Sequence, residues 1–172
     1  MQRSISRVGR DMRASIAASV LSAAALLFVP SANATDFNVT AGGAATVGVR
    51  WTDAVFFDAS MDKLEWAGQH WQPTATMGHL GSRDDPGDHL DHSVWVAGAG
   101  VRWVDWWGGA FVGFEVGYVN QRTDALSSHE QFISSLGWQG ERYIVMVRHI
   151  SNADIFGGRN LGETMVLAGV RF

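Results

Sequence analysis

The stretch that decides the fold is Ala110–Val119, AFVGFEVGYV, in which two sets of side chains alternate. Val112, Phe114, Val116 and Tyr118 are all large and apolar, and the residues between them form a second set that includes two glycines and a glutamate. Successive side chains of a β-strand point to opposite faces of the sheet. The alternation therefore predicts a strand of about ten residues.

Segments of the same kind recur along the chain after residue 34, separated by clusters of turn-forming residues. None of them has a sustained helical period, and no apolar run there is long enough for a membrane-spanning helix. The predicted fold class is therefore all-β. The eight predicted strands are Phe37–Trp51, Leu64–Gly68, Thr74–Leu80, Ser93–Trp103, Ala110–Val119, Gln131–Trp138, Arg142–Ser151 and Glu163–Phe172.

The connections between these strands alternate in length. Four are long and polar or glycine-rich, at 52–60, 82–91, 120–130 and 152–162, and three are short, at 72–73, 104–109 and 139–141. Transmembrane barrels alternate long extracellular loops with short periplasmic turns, and about eight strands is the smallest number found in them. The pattern predicts an eight-stranded antiparallel up-and-down transmembrane β-barrel with both chain ends on the periplasmic side.

Aromatic residues are placed in agreement with this fold. Six tryptophans lie at or next to predicted strand ends, where an indole ring suits the boundary between lipid and water. The chain closes with Phe172 after apolar residues at alternate positions, as outer-membrane barrels do. A soluble lipocalin-like barrel with tryptophans in its core is the alternative. Because side chains fill the interior of an eight-stranded barrel, we expect function on the outer wall or in the loops.

The first 34 residues differ in character from the rest. Four arginines precede an apolar run at residues 16–29, and Ala32–Asn33–Ala34 is a small-residue cleavage motif. This order predicts a secretory signal peptide over residues 1–34 and an outer-membrane barrel domain over residues 35–172. The alternative is a membrane anchor, but as a helix the apolar run would be only about 21 Å long, against about 30 Å of hydrocarbon.

The mature chain is predicted to be acidic. Removal of residues 1–34 leaves 9 basic and 16 acidic side chains, a net charge of about −7. This charge has the wrong sign for binding nucleic acid. The chain contains no cysteine, which excludes disulfides and thiolate metal sites. Neither a metal nor another cofactor is predicted.

The last predicted hairpin carries polar residues where its apolar run ends. His149 and Ser151 are two positions apart and therefore share a face, with Tyr143, Val145 and Val147 on the same face. An imidazole beside a hydroxyl can remove its proton and so generate the nucleophile of an acyl-transfer enzyme. The alternative is a polar pair without function at a strand end.

Two more residues belong to this hairpin. Glu163 begins the strand that returns from the same end of the barrel, and a carboxylate there would fix the tautomer of His149. Asn152 and the backbone amides after it are candidates to hold a developing oxyanion. Asp154 is a second candidate carboxylate, but it lies within the loop.

The run Arg148-His149-Ile150-Ser151-Asn152-Ala153, followed by Glu163 fourteen residues after the histidine, resembles the PagL family of lipid A 3-O-deacylases. The resemblance implies an outer-membrane barrel, with its site facing the outer leaflet, that hydrolyses the ester at the 3 position of lipid A. Such an enzyme releases a 3-hydroxy fatty acid and so modifies lipopolysaccharide. The implied roles are nucleophile for Ser151, general base and then acid for His149, orienting carboxylate for Glu163, and oxyanion contributor for Asn152, with no metal.

Alternation along the last strand conflicts with one of these roles. Residues 163 and 172 differ in parity, so an outward Glu163 and an outward Phe172 are incompatible in a regular strand. A bulge in the strand, an approach of Glu163 from the strand end, or an inward Phe172 would each remove the conflict.

Other charged residues suggest weaker sites. The acidic segment Ser82–His92 is interpreted as a solvated loop, with binding of a divalent ion as the alternative. Arg159 is predicted to contact a lipid A phosphate, and Arg148 to pair with an interior carboxylate.

Two functions compete with the esterase. One is a non-enzymatic outer-membrane barrel used in adhesion or envelope integrity, and the other is a soluble lipid carrier. The oligomeric state stays open, with a homodimer as one alternative.

Overall fold

A computed structural model describes residues 34–46, 48, 50–84, 89–155 and 161–172. The predicted signal peptide, except for Ala34, lies outside these residues. No helix that could cross a membrane occurs within the described ranges. Their strands are β1 (Ala34–Thr46), β2 (Arg50–Met61), β3 (Leu64–Trp66), β4 (Gln69–Leu80), β5 (Val94–Val104), β6 (Ala110–Val119), β7 (Glu130–Gln139), β8 (Tyr143–Ser151) and β9 (Glu163–Arg171).

Eight of these strands close into an antiparallel up-and-down barrel, which confirms the predicted fold class. Each ring strand pairs with its neighbours in chain order, and β1 also pairs with β9, so that the last strand meets the first. The short β3 lies outside the ring and pairs with the beginning of β4. Because β2 pairs directly with β4, the ring closes without β3 and its strands leave no free edge.

The first part of the barrel differs from the predicted strand boundaries. Residues 37–51, predicted as one strand, belong to β1 and the start of β2, and the Thr46–Arg50 pair closes their hairpin. Residues 52–60, predicted as a long loop, are the body of β2. Asp58 and Ser60 resembled turn-forming residues in the sequence, but both side chains are buried inside the barrel.

The predicted turn at residues 72–73 is also wrong, because both residues lie within β4. The β2–β4 ladder ends at the Ser60–Thr74 pair, whereas pairing with β5 continues past Pro73. Pro73 therefore lies where β4 has a ring neighbour on one side alone, and proline, which lacks a backbone donor, is tolerated there. The connection at this end is instead the β3–β4 hairpin.

The two ends of the barrel carry different connections. At one end, called the loop end below, residues 81–93, 120–129 and 152–162 connect successive strands. At the other, called the terminus end, residues 105–109 and 140–142 make short turns, and residues 34 and 172 lie there as well. The predicted alternation of long and short connections therefore holds from β4 onwards.

Charged side chains fill the middle of the barrel. Asp58 forms ion pairs with Arg148 at 2.9 Å and with Arg102 at 3.1 Å, and all three side chains are buried. The guanidinium of Arg148 lies 4.6 Å from the ring centre of Phe56, and that of Arg102 lies 4.9 Å from the ring centre of Phe111. The predicted pairing of Arg148 with an interior carboxylate is confirmed, and the partner is an aspartate.

The outer wall is apolar between the two ends. Near the terminus end, Trp71, Trp103 and Trp106 stack in series with ring centres 6.4 and 5.4 Å apart. Near the loop end, Trp95 and Tyr118 each contact a histidine ring. Exposed apolar side chains between these groups include Val39, Val55, Phe57, Met77, Val112, Phe114, Leu136, Val145, Val147 and Val166.

Candidate active site

His149 and Ser151 lie at the loop end of β8, with both side chains on the outer wall. Burial alternates along β8, and its exposed positions are those that share a face with His149. The residue opposite His149 is Ser134 on β7 and Thr164 on β9. These four side chains, Ser134, His149, Ser151 and Thr164, form a polar island on an otherwise apolar wall.

The imidazole of His149 contacts Thr164 on β9 and Gly162, which directly precedes β9. Its Nδ1 lies 2.9 Å from the Thr164 hydroxyl oxygen, within hydrogen-bond distance. Its other edge packs on Gly162, where a Cβ atom would lie 2.7 Å from Cε1 and 3.1 Å from Nε2. Gly162 directly precedes Glu163, which pairs with Ile150 at the loop end of the β8–β9 ladder. The Nε2 edge therefore points along the wall towards the level of Ser151.

The Ser151 hydroxyl lies at the start of a tight turn. Its oxygen accepts a hydrogen bond from the Ala153 amide at 3.1 Å. Ala153 and Asp154 both have positive φ, 51° and 56°, and the Ile155 amide donates to the Asn152 carbonyl at 3.1 Å. This geometry is that of a type I′ turn, in which an alanine at positive φ is unusual. The turn aims a backbone donor at the oxygen of the candidate nucleophile.

The described residues contain no hydrogen bond between His149 and Ser151. Their Cα atoms are about 6.5 to 7 Å apart along the strand, so with the imidazole held beside β9 it is the Ser151 side chain that must turn for the two groups to meet. The hydrogen bond from Ala153 occupies a lone pair of the Ser151 oxygen and leaves its proton available. Catalytic hydrogen bonds are often long before substrate binds.

Glu163 does not reach His149, contrary to the role suggested by the sequence. Its side chain is buried inside the barrel, where Arg83 donates to both carboxylate oxygens at 2.6 Å. The register of β9 runs without a bulge against both β1 and β8. Strict alternation therefore turns Glu163 inwards and Thr164 outwards, and Phe172 is exposed. The parity conflict in the sequence arose from the assumption that Glu163 faces outwards.

Asn152 is also placed differently from its predicted role. Its side chain is fully buried, and its amide nitrogen donates to the hydroxyls of Ser127 and Ser128 at 3.1 and 3.0 Å. Its side-chain oxygen accepts from the Asp154 amide at 2.9 Å. The Asn152 side chain thus ties the 152–162 connection to the 120–129 connection and faces away from the polar island.

A shallow groove of about 390 Å³ adjoins His149 on the outer wall. Ser134 separates Phe114 on β6 from His149 on β8, and its small side chain leaves room between them. Phe114 stacks on Phe132 with ring centres 5.7 Å apart. Other side chains along the groove are Val112, Leu136 and Val147. An apolar chain can therefore lie against the wall with one end at the imidazole.

Two predicted sites fall partly or wholly outside the described residues. Arg159 belongs to residues 156–160, and the acidic segment includes residues 85–88, which are likewise outside. Where that segment is described, a hydrogen bond from His92 holds the pKa of the Asp91 carboxyl below its usual value. The described ranges contain no group of three or more His, Asp or Glu side chains that could hold a metal ion.

Thr164 and Gly162 are the site residues that the sequence interpretation missed. A signal for Thr164 was present, because counting back from an outward Phe172 in steps of two reaches residue 164. For Gly162 the sequence shows only a loop glycine, and the neighbouring imidazole becomes evident in the folded hairpin. Comparison with known protein families, with characterised proteins and with solved structures finds no match for this chain.

Proposed function

We propose that this barrel is an outer-membrane esterase that removes the acyl chain linked to the 3 position of lipid A. The observation that carries the proposal is the position of His149 and Ser151 together on the outer wall, beside an apolar groove. The resemblance of the 148–153 run to PagL deacylases adds a substrate class. A lipid ester reaches such a site from the side, without entering the barrel.

The outer surface supports a membrane location. Large apolar side chains are exposed all round the barrel, and monomeric soluble proteins seldom expose so continuous an apolar surface. A closed ring satisfies the backbone hydrogen bonds that lipid cannot satisfy. With the chain ends in the periplasm, the loop end and its polar island lie at the outer leaflet, where lipid A resides.

The proposed chemistry uses Ser151 as nucleophile and His149 as proton carrier. Ser151 Oγ attacks the ester carbonyl carbon while Nε2 of His149 takes the hydroxyl proton. The tetrahedral intermediate then breaks the bond to the sugar oxygen, which leaves with the proton from Nε2. Water attacks the acyl-serine in the same way, and the fatty acid departs while Ser151 regains its proton.

The Ala153 amide is the proposed oxyanion donor. It lies 3.1 Å from the Ser151 oxygen, and the turn at 153–154 holds it there. A carbonyl carbon bonded to Ser151 Oγ would bring its oxygen near this N–H group, and backbone donors fixed before reaction stabilise developing charge. The buried Asn152 side chain contributes by holding this turn in place.

Mass spectrometry of lipid A tests the activity. Cells whose lipid A retains the 3-linked chain should lose it when they express the protein. Ser151→Ala and His149→Asn should each lower the rate by about 10³-fold or more, because nucleophile and base act as a unit. Ser82→Ala, an exposed serine of the 81–93 connection, is the matched control. Undiminished release by the Ser151→Ala protein would rule out Ser151 as the nucleophile, and no release by the unmodified protein would favour the non-enzymatic barrel instead.

Fractionation tests the location. The protein should sediment with outer membranes and need detergent for extraction, and unheated samples should migrate as compact barrels on gels. Recovery in the soluble fraction without detergent would favour a lipid carrier.

A further inference from the structure

We propose that Thr164 is the positioning residue of the site: its hydroxyl accepts a hydrogen bond from Nδ1–H of His149 and thereby leaves Nε2 unprotonated towards Ser151. This inference rests on the proposed esterase function for its catalytic meaning. The contact itself is independent of that function and can be measured separately.

Strand pairing brings the two side chains together. Thr164 lies directly opposite His149 in the β8–β9 ladder, and its hydroxyl oxygen is 2.9 Å from Nδ1. Because both residues belong to paired strands, the ladder places their backbones opposite each other. A site held by strands is more accurately positioned than one held by loops.

The surroundings favour one of the two neutral tautomers. With the proton on Nδ1, the imidazole donor is satisfied by Thr164 and Nε2 remains an acceptor. With the proton on Nε2, that N–H would have no hydrogen-bond partner among the described residues, and on this edge the ring packs beside Gly162, which has no side chain to offer one. An unpaired donor at an apolar surface costs free energy, so the Nδ1–H tautomer is the more stable.

Gly162 fixes the direction in which Nε2 points. The ring edge bearing Cε1 and Nε2 occupies the space that a side chain at residue 162 would fill. Thr164 on one side and Gly162 on the other therefore hold the ring along β9. Nε2 is consequently presented at the loop-end side, where Ser151 lies.

The usual orienting group, a carboxylate, is committed elsewhere. Arg83 holds Glu163 inside the barrel with two hydrogen bonds. A neutral hydroxyl can accept the hydrogen bond from Nδ1–H as a carboxylate does, but it can also donate and it adds no negative charge, so the choice of tautomer depends on the surroundings of Nε2 as well. Thr164 therefore orients the His149 ring but, unlike a carboxylate, provides no charge to stabilise the imidazolium.

Nitrogen NMR of the imidazoles tests the contact directly. Histidine labelled with ¹⁵N in the detergent-solubilised barrel should show His149 protonated at Nδ1 at about pH 8, where an ordinary imidazole is neutral. The His149→Asn spectrum assigns the signal. Thr164→Val, which keeps the branched shape, should give a mixture of tautomers, and Thr164→Ser should restore the Nδ1–H form. Protonation of Nε2 in the unmodified protein, or an unchanged spectrum in Thr164→Val, would overturn the proposal.

Kinetics tests the role of the contact. Thr164→Val should lower kcat about 10-fold with little change in KM, the loss expected for one hydrogen bond, and Thr164→Ser should recover most of the rate. Gel mobility of unheated samples checks that each variant folds. An unchanged kcat in Thr164→Val would overturn the positioning role. Absence of deacylation in the unmodified protein would remove the proposed function while leaving the NMR result to decide the contact.

Discussion

At the scale of single residues, the site depends on what surrounds His149. On one side its imidazole has a hydrogen-bond partner, Thr164. On the other side it fills the space left by the absence of a side chain at Gly162. Gly162 also has φ of +70°, a conformation that residues with a Cβ adopt at a cost. Both properties of glycine are therefore used at this one position.

Gly162→Ala should disable the site while the barrel still forms. The new methyl group would displace the His149 ring from Thr164, and the positive φ would cost about 1–2 kcal/mol of folding free energy. Gly68→Ala is the matched control, because Gly68 has φ of +72° and nothing within 4 Å of a Cβ. The measurements are deacylation rate and thermal unfolding. Equal activity in the two variants would contradict the proposed packing.

At the scale of elements, β9 joins the site to the mouth of the barrel. Thr164 faces outwards to His149, and the preceding residue, Glu163, faces inwards to Arg83 of the 81–93 connection. Arg83 also donates to the carbonyl of Arg50 at 2.9 Å. This buried ion pair fastens a loop to the barrel at the point where the site begins.

Removal of one partner of this pair should cost more than removal of both. Glu163→Leu leaves the buried guanidinium of Arg83 without a counter-charge and should lower the unfolding free energy by about 3–5 kcal/mol. Arg83→Met should have a similar cost, because it leaves the buried carboxylate of Glu163 without a partner. The double variant should be more stable than either single change, because no buried charge remains unpaired. Unfolding in denaturant from detergent measures all three. Strictly additive losses would contradict a direct pair.

At the scale of the whole molecule, the barrel is held around a charged interior. Asp58 on β2 pairs with Arg102 on β5 and Arg148 on β8, so one carboxylate links three separate parts of the ring. Glu115 on β6 accepts a hydrogen bond from Thr74 on β4 at 2.8 Å, further across the same interior. The filled interior agrees with a site on the outer wall.

Asp58→Ala should destabilise the barrel strongly. Two buried guanidinium groups would lose their ion-pair partner, and the expected cost is about 3–5 kcal/mol. Asp53→Ala, at an exposed position of the same strand, should change the unfolding free energy by less than about 0.5 kcal/mol. Unfolding in denaturant from detergent measures both free energies. A small effect of Asp58→Ala would show that the central ion pairs contribute little.

The sequence by itself determined the properties that are local to a strand. The alternation in Ala110–Val119 and in the other strand-like segments predicted the all-β fold. The spacing of two residues placed His149 and Ser151 on one face, because side-chain direction in a strand follows from the backbone alone. The same rule would have placed Thr164 outwards if Phe172, rather than Glu163, had been taken as the outward-facing residue.

Only the tertiary structure decided which side chains meet. Arg83 and Glu163 are 80 positions apart and Asp58 and Arg148 are 90 apart, and the closing of the ring brings each pair together. The polar residues of β2 resembled a loop in the sequence because a polar residue in a buried strand needs interior partners. Those partners come from distant strands, so no local pattern reveals them. The identity of the residue that holds His149 was settled in the same way, by the register between β8 and β9.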